Sequence, residues 1–309
     1  MDKKKIRVFL RRSLGYVGLN FSLAVASVLP LSFIYRLSWL LARIVYLASG
    51  KHRRIAKESL EIAFGPSLDR REKRKILIDS FEEMVKGGLE SVLVISHRPE
   101  DLGKNISITG KEHLREALAR GRGAIVVSAH FGNFILLAAN LNAAGFPTAV
   151  VLRPLRDEKM DVFLLEKRKK FGVESIYTKP SKVCVDKSLA FLRNNGVLFN
   201  LLDQNFGSGS GVFVDFFGMK AATATGPIVL ALRSNAAIFP VFIIRKPDNS
   251  QEIIIEPEFK IEKKENFEQT VQYNIAGLTK IIENYIRKYP AQWSWIHRRW
   301  KSRPPDNKI

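Results

Sequence analysis

The chain has 309 residues and is 46% hydrophobic, which is enough for one substantial core with an appendage. Its 50 lysines and arginines against 30 acidic residues give a formal charge of +20, which favours anionic partners, yet no zinc-finger spacing, RNA-binding aromatic pattern or basic zipper points to nucleic acid. A membrane surface or an acidic carrier protein is therefore the expected partner. The single cysteine, Cys184, excludes a disulfide framework and predicts a reducing, cytosol-facing location.

The first 50 residues are predicted to form a membrane-anchoring or interfacial helical segment. Residues 14–35 carry no charge, and about 20 apolar residues can cross a bilayer core as a helix. Basic residues flank this stretch on both sides, and the positive-inside rule places such flanks in the cytosol, which favours a re-entrant or interfacial arrangement. Arg36 and Arg43 lie on one face of the following apolar stretch, a pattern suited to the interface. A secretory signal peptide and a buried helical hairpin are the alternatives.

Residues 51–105 are predicted to form a helical collar. Residues 53–64 and 71–95 carry apolar side chains at three- and four-residue spacing, and the turn-rich sequence GPSLD separates them. The pattern changes at about residue 106, so residues 106–309 are predicted to form a separate catalytic domain.

Short apolar runs alternate with longer periodic segments after residue 106, which predicts an α/β fold with a mostly parallel sheet flanked by helices. The strand-like runs are residues 124–129, 148–152, 197–202 and 237–244. The helix-like segments are residues 133–144, 157–171, 181–194, 224–235 and 267–289, and residues 252–261 predict an edge strand. In such sheets the functional site lies beyond the carboxyl ends of the strands.

His130 is the strongest candidate for chemistry, because it follows the strand at residues 124–129 and precedes a helix, with Gly132 and Asn133 in the intervening turn. An imidazole placed there can act as a general base, although a lone histidine at a strand end is more often structural. The other histidines are His52, His97, His113 and His297. They are scattered and form no HExxH arrangement, so no metal site is predicted.

Four sequence blocks occur in a fixed order along the chain, and their combination is far more specific for a protein family than any one block. GKEHLREALARGRGAIVVSAHFGNF contains His130, VLRPLRDEKMDVFLLEKRKKFG contains Arg153 and Arg168, LLDQNFGSGSGVFVDFFGMKAATATGPIVLAL contains Asp203, Gln204 and Thr225, and YPAQWSWIHRRWK ends the set. Together they resemble the lipid A biosynthesis lauroyl/myristoyl acyltransferase family of the lysophospholipid acyltransferase group, over about residues 50–301. The resemblance implies the glycerolphosphate-acyltransferase-like form of the α/β fold.

This resemblance implies transfer of a fatty acyl chain from an acyl carrier protein or coenzyme A thioester to a hydroxyl of a lipid A precursor or related glycolipid. The implied partners are acyl carrier protein, an anionic glycolipid or phospholipid and the cytoplasmic face of the inner membrane. No nucleic acid, metal or cofactor beyond the acyl co-substrate is expected. The chemistry agrees, because a hydroxyl that attacks a thioester needs a base, and imidazole with a pKa of ~6.5 is a suitable acceptor.

The family hallmark H-x-x-x-x-D/E is broken here, because Ile135 stands where the resemblance implies an acid. Isoleucine cannot accept a hydrogen bond from the imidazole or offset its charge. In a first hypothesis Asp203 supplies the carboxylate, because it ends a neighbouring strand and should approach His130. In a second, His130 works slowly without a partner. In a third, the chain is a catalytically impaired pseudoenzyme that binds lipid or acyl carrier protein.

Beyond His130 and Asp203 as the catalytic pair, six residues are predicted to bind substrate. They are Gly132, Asn133, Arg153, Arg168, Gln204 and Thr225. Arg153 and Arg168 could neutralise phosphates of a lipid head group or of the carrier's prosthetic group, or lie on a solvated helix face. Asp203 and Gln204 could instead form a turn that caps the following segment. Thr225 could open a helix whose N-terminus faces a phosphate or oxyanion, or simply cap that helix.

The tail of the chain interleaves Trp293, Trp295 and Trp300 with basic residues, a composition found both on single-stranded nucleic-acid surfaces and at membrane interfaces. We expect these rings to pack in the core and contact the membrane interface. An α/β-hydrolase site is not predicted, because no G-x-S-x-G sequence occurs. The GSGSG sequence at residues 207–211 has glycine at its centre, where the G-x-S-x-G elbow needs serine. Because it lacks the Lys and Ser/Thr of a P-loop, it is predicted to be a flexible loop rather than a phosphate-binding one.

Overall fold

The computed structural model describes residues 31–95, 106–155, 157–207 and 211–304. Most of the uncharged stretch at residues 14–35 lies outside these ranges. Within them, no helix combines the length and the apolar character needed to cross a membrane. The domain boundaries expected at residues 50 and 105 stay predictions.

Three helices precede the sheet, α1 (Leu31–Ala48), α2 (Gly50–Phe64) and α3 (Arg70–Ile95), and α1 packs along α3. The small and apolar residues of α2 recur every three or four positions, so one face of the helix is buried. Asp69 and Glu72 start α3 with a capping box, in which each side chain accepts a hydrogen bond from the other's backbone N–H at 2.8 and 2.7 Å. This cap explains why the chain turns into α3 directly after the GPSLD sequence.

Strands and helices alternate from Ile106 to Leu201, as the sequence predicts, and consecutive strands interrupt this alternation in the rest of the chain. The strands are β1 (Ile106–Thr109), β2 (Ala124–Ser128), β3 (Thr148–Leu152), β4 (Glu174–Tyr177), β5 (Val197–Leu201), β6 (Val212–Phe216), β7 (Met219–Thr223), β8 (Ala237–Arg245) and β9 (Gln251–Ile255). The helices are α4 (Lys111–Ala119), α5 (Phe134–Ala143), α6 (Glu158–Lys170), α7 (Ser181–Arg193), α8 (Gly226–Ser234) and α9 (Phe267–Lys288).

Seven strands form one sheet in the order β1-β9-β8-β2-β5-β3-β4, and β6 pairs with β7 in a separate antiparallel hairpin. Strands β2, β3, β4, β5 and β8 run parallel to one another, while β1 and β9 run the opposite way. The predicted α/β fold with a mostly parallel sheet is therefore confirmed. The edge position predicted for residues 252–261 is wrong, because β1 pairs with the outer side of β9.

The carboxyl ends of the parallel strands meet at one edge of this sheet. Strand β2 lies in the middle, and all five of its residues are buried, as expected for a parallel strand covered on both faces. One core lies between the sheet and α7, α8 and α9, and a second lies between the sheet and α4 and α5. The register between β2 and β5 pairs Ser128 with Leu201, so the chain leaves both strands at the same level.

Candidate active site

His130 and Asp203 come together because each lies two residues beyond the end of a neighbouring strand, β2 and β5. The backbone N–H of Leu202 still donates to the carbonyl of Ser128 at 3.0 Å, which extends the ladder toward the site. Nδ1 of His130 lies 2.9 Å from Oδ1 of Asp203. The contact expected from the order of the strands is therefore present, and a carboxylate faces the imidazole although residue 135 is not acidic.

Asp203 is held as a buried carboxylate with both oxygens engaged. Only 3% of the residue is exposed, and its second oxygen, Oδ2, accepts a hydrogen bond from Nε1 of Trp293 at 2.8 Å. Burial raises the pKa of Asp203, but the charge of His130 and the hydrogen bonds from His130 and Trp293 outweigh it and lower the pKa to about 2. Asp203 is thus ionised at neutral pH and acts only as an acceptor.

His130 is oriented by hydrogen bonds at both ring nitrogens. Because ionised Asp203 can only accept, Nδ1 of the neutral imidazole carries the proton and Nε2 is left as the acceptor. The side-chain amide of Gln204 donates to this nitrogen at 3.0 Å. Burial lowers the pKa of His130, but the charge of Asp203 and its hydrogen bond raise it by more, so the net pKa lies above the ordinary 6.5. About a quarter of the side chain, 25%, is exposed, so the imidazole is partly accessible from outside.

Gly132 and Asn133, predicted to bind substrate, make structural contacts in the turn after His130. Gly132 has φ +54°, and a Cβ there would lie 2.3 Å from the carbonyl oxygen of Ile243 on β8, so only glycine fits. Asn133 is 3% exposed and caps α5 by accepting from the N–H of Leu136 at 3.1 Å. Its amide donates to Oε2 of Glu90 at 2.9 Å. Both residues shape the loop that carries His130.

The two predicted arginines lie in different surroundings. Arg153 directly follows β3 at the same edge of the sheet as His130, and its side chain is exposed. Arg168 lies in α6 and donates to Oγ of Ser175 on β4 at 2.8 Å. Burial lowers the pKa of Arg168 more than the nearby Tyr177 and Asp161 raise it. The structure therefore brings Arg153 to the carboxyl edge and packs Arg168 between α6 and β4.

Gln204 and Thr225 also lie at the carboxyl edge of the sheet. Gln204 contacts His130 directly, as described above. Thr225 precedes α8 as its N-cap residue, but its side chain makes no capping hydrogen bond. Both assignments as substrate-binding residues stay predictions.

Two residues of the tail, His297 and Arg299, contact the backbone of residues 204–205, just after β5. Neither of them is predicted from the sequence as a site residue. Nε2 of His297 accepts a hydrogen bond from the backbone N–H of Asn205 at 3.0 Å. Burial lowers the pKa of His297, so this imidazole is neutral at pH 7. The guanidinium of Arg299 is fully buried and donates to the backbone oxygen of Gln204 at 3.0 Å. The clue in the sequence was the tail motif itself, in which Trp, His and Arg recur at close spacing.

Comparison with known proteins places the chain in a family. The model of the bacterial lipid A biosynthesis acyltransferases matches residues 1–302. The chain belongs to this family. The lipid A biosynthesis lauroyltransferase of Escherichia coli (strain K12) is 29% identical over 283 residues, which cover 89% of this chain and 88% of the relative. The palmitoleoyltransferase of the same organism is 27% identical over 252 residues, which cover 81% of this chain and 79% of the relative.

The chain is also similar to an acyltransferase that is named for another glycolipid. The phosphatidylinositol mannoside acyltransferase of Mycolicibacterium smegmatis (strain ATCC 700084 / mc(2)155) is 26% identical over 208 residues, or 64% of each chain. These relatives share acyl transfer as their reaction, and the protein is accordingly an acyltransferase. Nothing in the family or in these relatives supports the non-catalytic alternative.

Proposed function

We propose that this acyltransferase moves a fatty acyl chain from an acyl carrier protein or coenzyme A thioester to a hydroxyl of a lipid A precursor or related glycolipid, with His130 as general base and Asp203 as its charge partner. The contact between Nδ1 of His130 and the buried Asp203 carboxylate carries the proposal. It leaves Nε2 as the acceptor of an accessible imidazole, which is the state that a general base requires.

The mechanism follows from these two side chains. The acceptor hydroxyl displaces the Gln204 amide from Nε2 of His130 and attacks the thioester carbonyl, and its proton passes to Nε2 as the carbon–oxygen bond forms. Asp203 stabilises the resulting imidazolium. The tetrahedral intermediate then collapses, the carbon–sulfur bond breaks, and the imidazolium returns the proton to the leaving thiolate. An ester and a free thiol are the products, and His130 is again neutral.

The acceptor class is supported by the names of the relatives. Two relatives act in lipid A biosynthesis and a third on a phosphatidylinositol mannoside, so the shared chemistry is acylation of a glycolipid. The formal charge of +20 favours an anionic acceptor and an acidic carrier protein as donor. Arg153, exposed at the carboxyl edge, is the residue that we propose to meet a phosphate of either substrate.

The proposed function is tested by assaying purified full-length protein with acyl carrier protein thioesters, with acyl coenzyme A and with a lipid A precursor. Wild-type protein should form the acylated lipid, and His130→Ala should abolish turnover. His113→Ala serves as the control, because that histidine lies in α4 and its Nδ1 contacts the carbonyl of Ile255. Acylation that survives in His130→Ala would overturn the mechanism, and a wild-type protein inactive with every donor would overturn the function.

Association with the inner membrane, with the catalytic domain facing the cytoplasm, is the second part of the proposal. The outward face of α1 exposes Phe33, Trp39, Leu40, Ile44 and Leu47, whose exposed fractions range from 48% to 69%. The guanidinium of Arg43 lies over the Trp39 ring at 5.2 Å from its centroid. A helix with an apolar face, an aromatic ring and basic side chains is suited to lie in an anionic membrane surface.

We expect the double variant Trp39→Glu, Ile44→Glu to float poorly with vesicles that contain anionic phospholipid, whereas wild-type protein floats with them. The matched control carries Val183→Glu and Phe267→Glu, which add the same charge at exposed apolar residues of α7 and α9. Equal flotation of both double variants and the wild type would overturn the role of α1.

A carboxylate introduced at residue 135 should not rescue a missing partner, because Asp203 already fills that role. The Ile135 side chain is 45% exposed in the first turn of α5. An orienting carboxylate can contribute ~10⁴-fold to kcat. We therefore expect Ile135→Glu to raise kcat by far less than this factor. Ile135→Gln controls for shape, and kcat of both variants is compared with that of the wild type. A gain of that order in Ile135→Glu alone would show that Asp203 does not support His130.

The acid limb of kcat/KM is expected to lie above pH 6.5, because Asp203 raises the pKa of His130 above that value. Below this pKa the imidazolium cannot accept the hydroxyl proton, so kcat/KM falls as the pH falls through it. Initial rates measured from about pH 5 to pH 9 cover the range in which histidine titrates. An acid limb at or below pH 6.5 would contradict the stabilisation of the imidazolium by Asp203.

A further inference from the structure

The tail segment at residues 292–294 lies alongside residues 130–132, which include the proposed base His130. The backbone N–H of Gly132 donates to the carbonyl of Gln292 at 2.8 Å, and the N–H of Ser294 donates to the carbonyl of His130 at 3.1 Å. Phe131 and Trp293 face each other between these bonds as an antiparallel bridge. The tail thus hydrogen-bonds to the backbone on both sides of Phe131 and fixes the position of the His130 backbone.

The same segment is anchored to the end of β8. The Gln292 side chain accepts from the backbone N–H of Arg245 at 2.9 Å and donates to the carbonyl of Arg245 at 2.9 Å. This two-bond contact imitates a strand pairing. It ties the tail to the central part of the sheet, so the position of Trp293 is set by β8 as well as by the residues after β2.

Trp293 connects this anchored segment to the second member of the catalytic pair. Its Nε1 donates a hydrogen bond to Oδ2 of Asp203 at 2.8 Å, while Oδ1 of the same carboxylate accepts one from Nδ1 of His130 at 2.9 Å. The ring is 1% exposed and packs edge-on against Trp295, with ring centroids 4.6 Å apart, and against Phe216 at 5.7 Å. The indole therefore has no room to turn, and the carboxylate that it holds cannot rotate freely.

We propose that Trp293 is a positioning residue of the acyl-transfer site, which holds the plane of the Asp203 carboxylate so that Oδ1 stays on Nδ1 of His130. The inference rests on the proposed function and goes beyond it, because it assigns the tail tryptophan a task in catalysis. The segment orients His130 through the backbone and Asp203 through the indole N–H. Hydrogen-bond partners that orient the ligands of a metal site typically contribute about 10- to 100-fold to activity, and we expect a loss of the same order here.

Trp293→Phe tests this role, because it keeps an aromatic ring in the core and removes only the N–H donor and part of the ring. Trp295→Phe is the matched control. Trp295 is also 1% exposed, and its Nε1 donates at 2.7 Å to the backbone carbonyl of Pro290 rather than to a catalytic group. Each variant loses one buried indole hydrogen bond, so a difference between them isolates the contact with Asp203.

In Trp293→Phe we expect kcat to fall about 10- to 100-fold with little change in KM, since the buried ring does not touch substrate. The Asp203 carboxylate, with one hydrogen bond fewer to offset its charge, then attracts the imidazolium more strongly, so the acid limb of kcat/KM moves to higher pH. An NMR titration of His130, assigned with His130→Ala, should show the same upward shift without any need for turnover. Trp295→Phe should leave kcat and the titration of His130 near their wild-type values.

Equal losses of kcat in the two tryptophan variants would overturn the proposal, as would a His130 titration that stays at or falls below its wild-type pH in Trp293→Phe. Circular dichroism and thermal unfolding of both variants identify a variant that fails to fold. If Trp293→Phe fails to fold, Trp293→His, which keeps a ring N–H donor, takes its place. In Trp293→His we expect His130 to titrate near its wild-type pH, and a clear departure from that pH would also count against the proposal. Wild-type protein that titrates as expected but transfers no acyl chain would instead overturn the proposed function alone.

Discussion

Asp203→Asn is expected to lower kcat by about 10⁴-fold while the protein stays folded, the size of loss seen when an orienting carboxylate becomes an amide. Two donors, Nδ1–H of His130 and Nε1–H of Trp293, point at this side chain. An asparagine offers them one acceptor oxygen and turns an NH₂ group toward the other donor. The indole cannot give up its proton, so the imidazole changes tautomer and Nε2 becomes protonated. The base is then blocked on the side where the hydroxyl must bind.

The same variant has a second expected effect, on the pKa of His130. Burial lowers that pKa, and the charge of Asp203 is what raises it. Without the charge, the acid limb of the residual kcat/KM should move to lower pH, opposite to the shift expected for Trp293→Phe. Asp215→Asn is the matched control, because Asp215 is exposed in the β6–β7 hairpin and its contact with the N–H of Gly218 needs only an oxygen. Activity of Asp203→Asn close to that of the wild type would favour a base that works without a partner.

The central part of the site could be predicted from the sequence because it depends on the parallel strands. Strands β2 and β5 are continuous apolar runs, so their ends can be read directly. The residues that follow them, His130 and Asp203, then share an edge whenever the strands are neighbours. For the same reason Arg153 was expected at this edge, where it lies.

Other parts of the site depend on contacts that no local pattern reveals. Trp293 meets Asp203 across 90 positions of sequence, through a tail that returns to the sheet after α9. The tail tryptophans are predicted to pack in the core and to contact the membrane interface. Core packing is confirmed, because Trp293, Trp295 and Trp300 are 1–4% exposed, and the interface contact of these rings is wrong for the same reason. The edge position of β9 was mispredicted since β1, a strand of four residues, gives too short a pattern to recognise.

The second large effect concerns stability. Glu90 of α3 is fully buried and receives two hydrogen bonds from Arg245 of β8, at 2.6 and 2.8 Å. It also accepts from Tyr35 of α1 at 2.7 Å and from Asn133, the cap of α5, at 2.9 Å. One carboxylate of α3 is therefore joined to α1, to β8 and to the turn after His130. Neither the sequence nor the +20 charge of the chain predicts this ion pair. The pair forms only because α3 packs against the sheet where β8 ends.

Arg245→Met is expected to lower the free energy of unfolding by about 3–5 kcal/mol, because it leaves the charge of Glu90 buried without its counter-ion. Lys246→Met is the neighbouring control. Its partner Glu252 lies 3.0 Å away and both side chains are partly exposed, so the loss should stay below about 1 kcal/mol. Urea unfolding followed by tryptophan fluorescence measures both losses.

The double variant Glu90→Gln, Arg245→Met separates a true ion pair from simple loss of packing. If charge is the cause, the neutral glutamine removes the unpaired carboxylate, and the double variant should be more stable than Arg245→Met alone. Glu90→Gln by itself should lose less than Arg245→Met, since Arg245 keeps a second partner in Glu83 at 2.7 Å. Additive losses in the double variant would show that the two side chains act independently. The contact between Glu90 and Arg245 would then contribute little to holding α3 on the sheet.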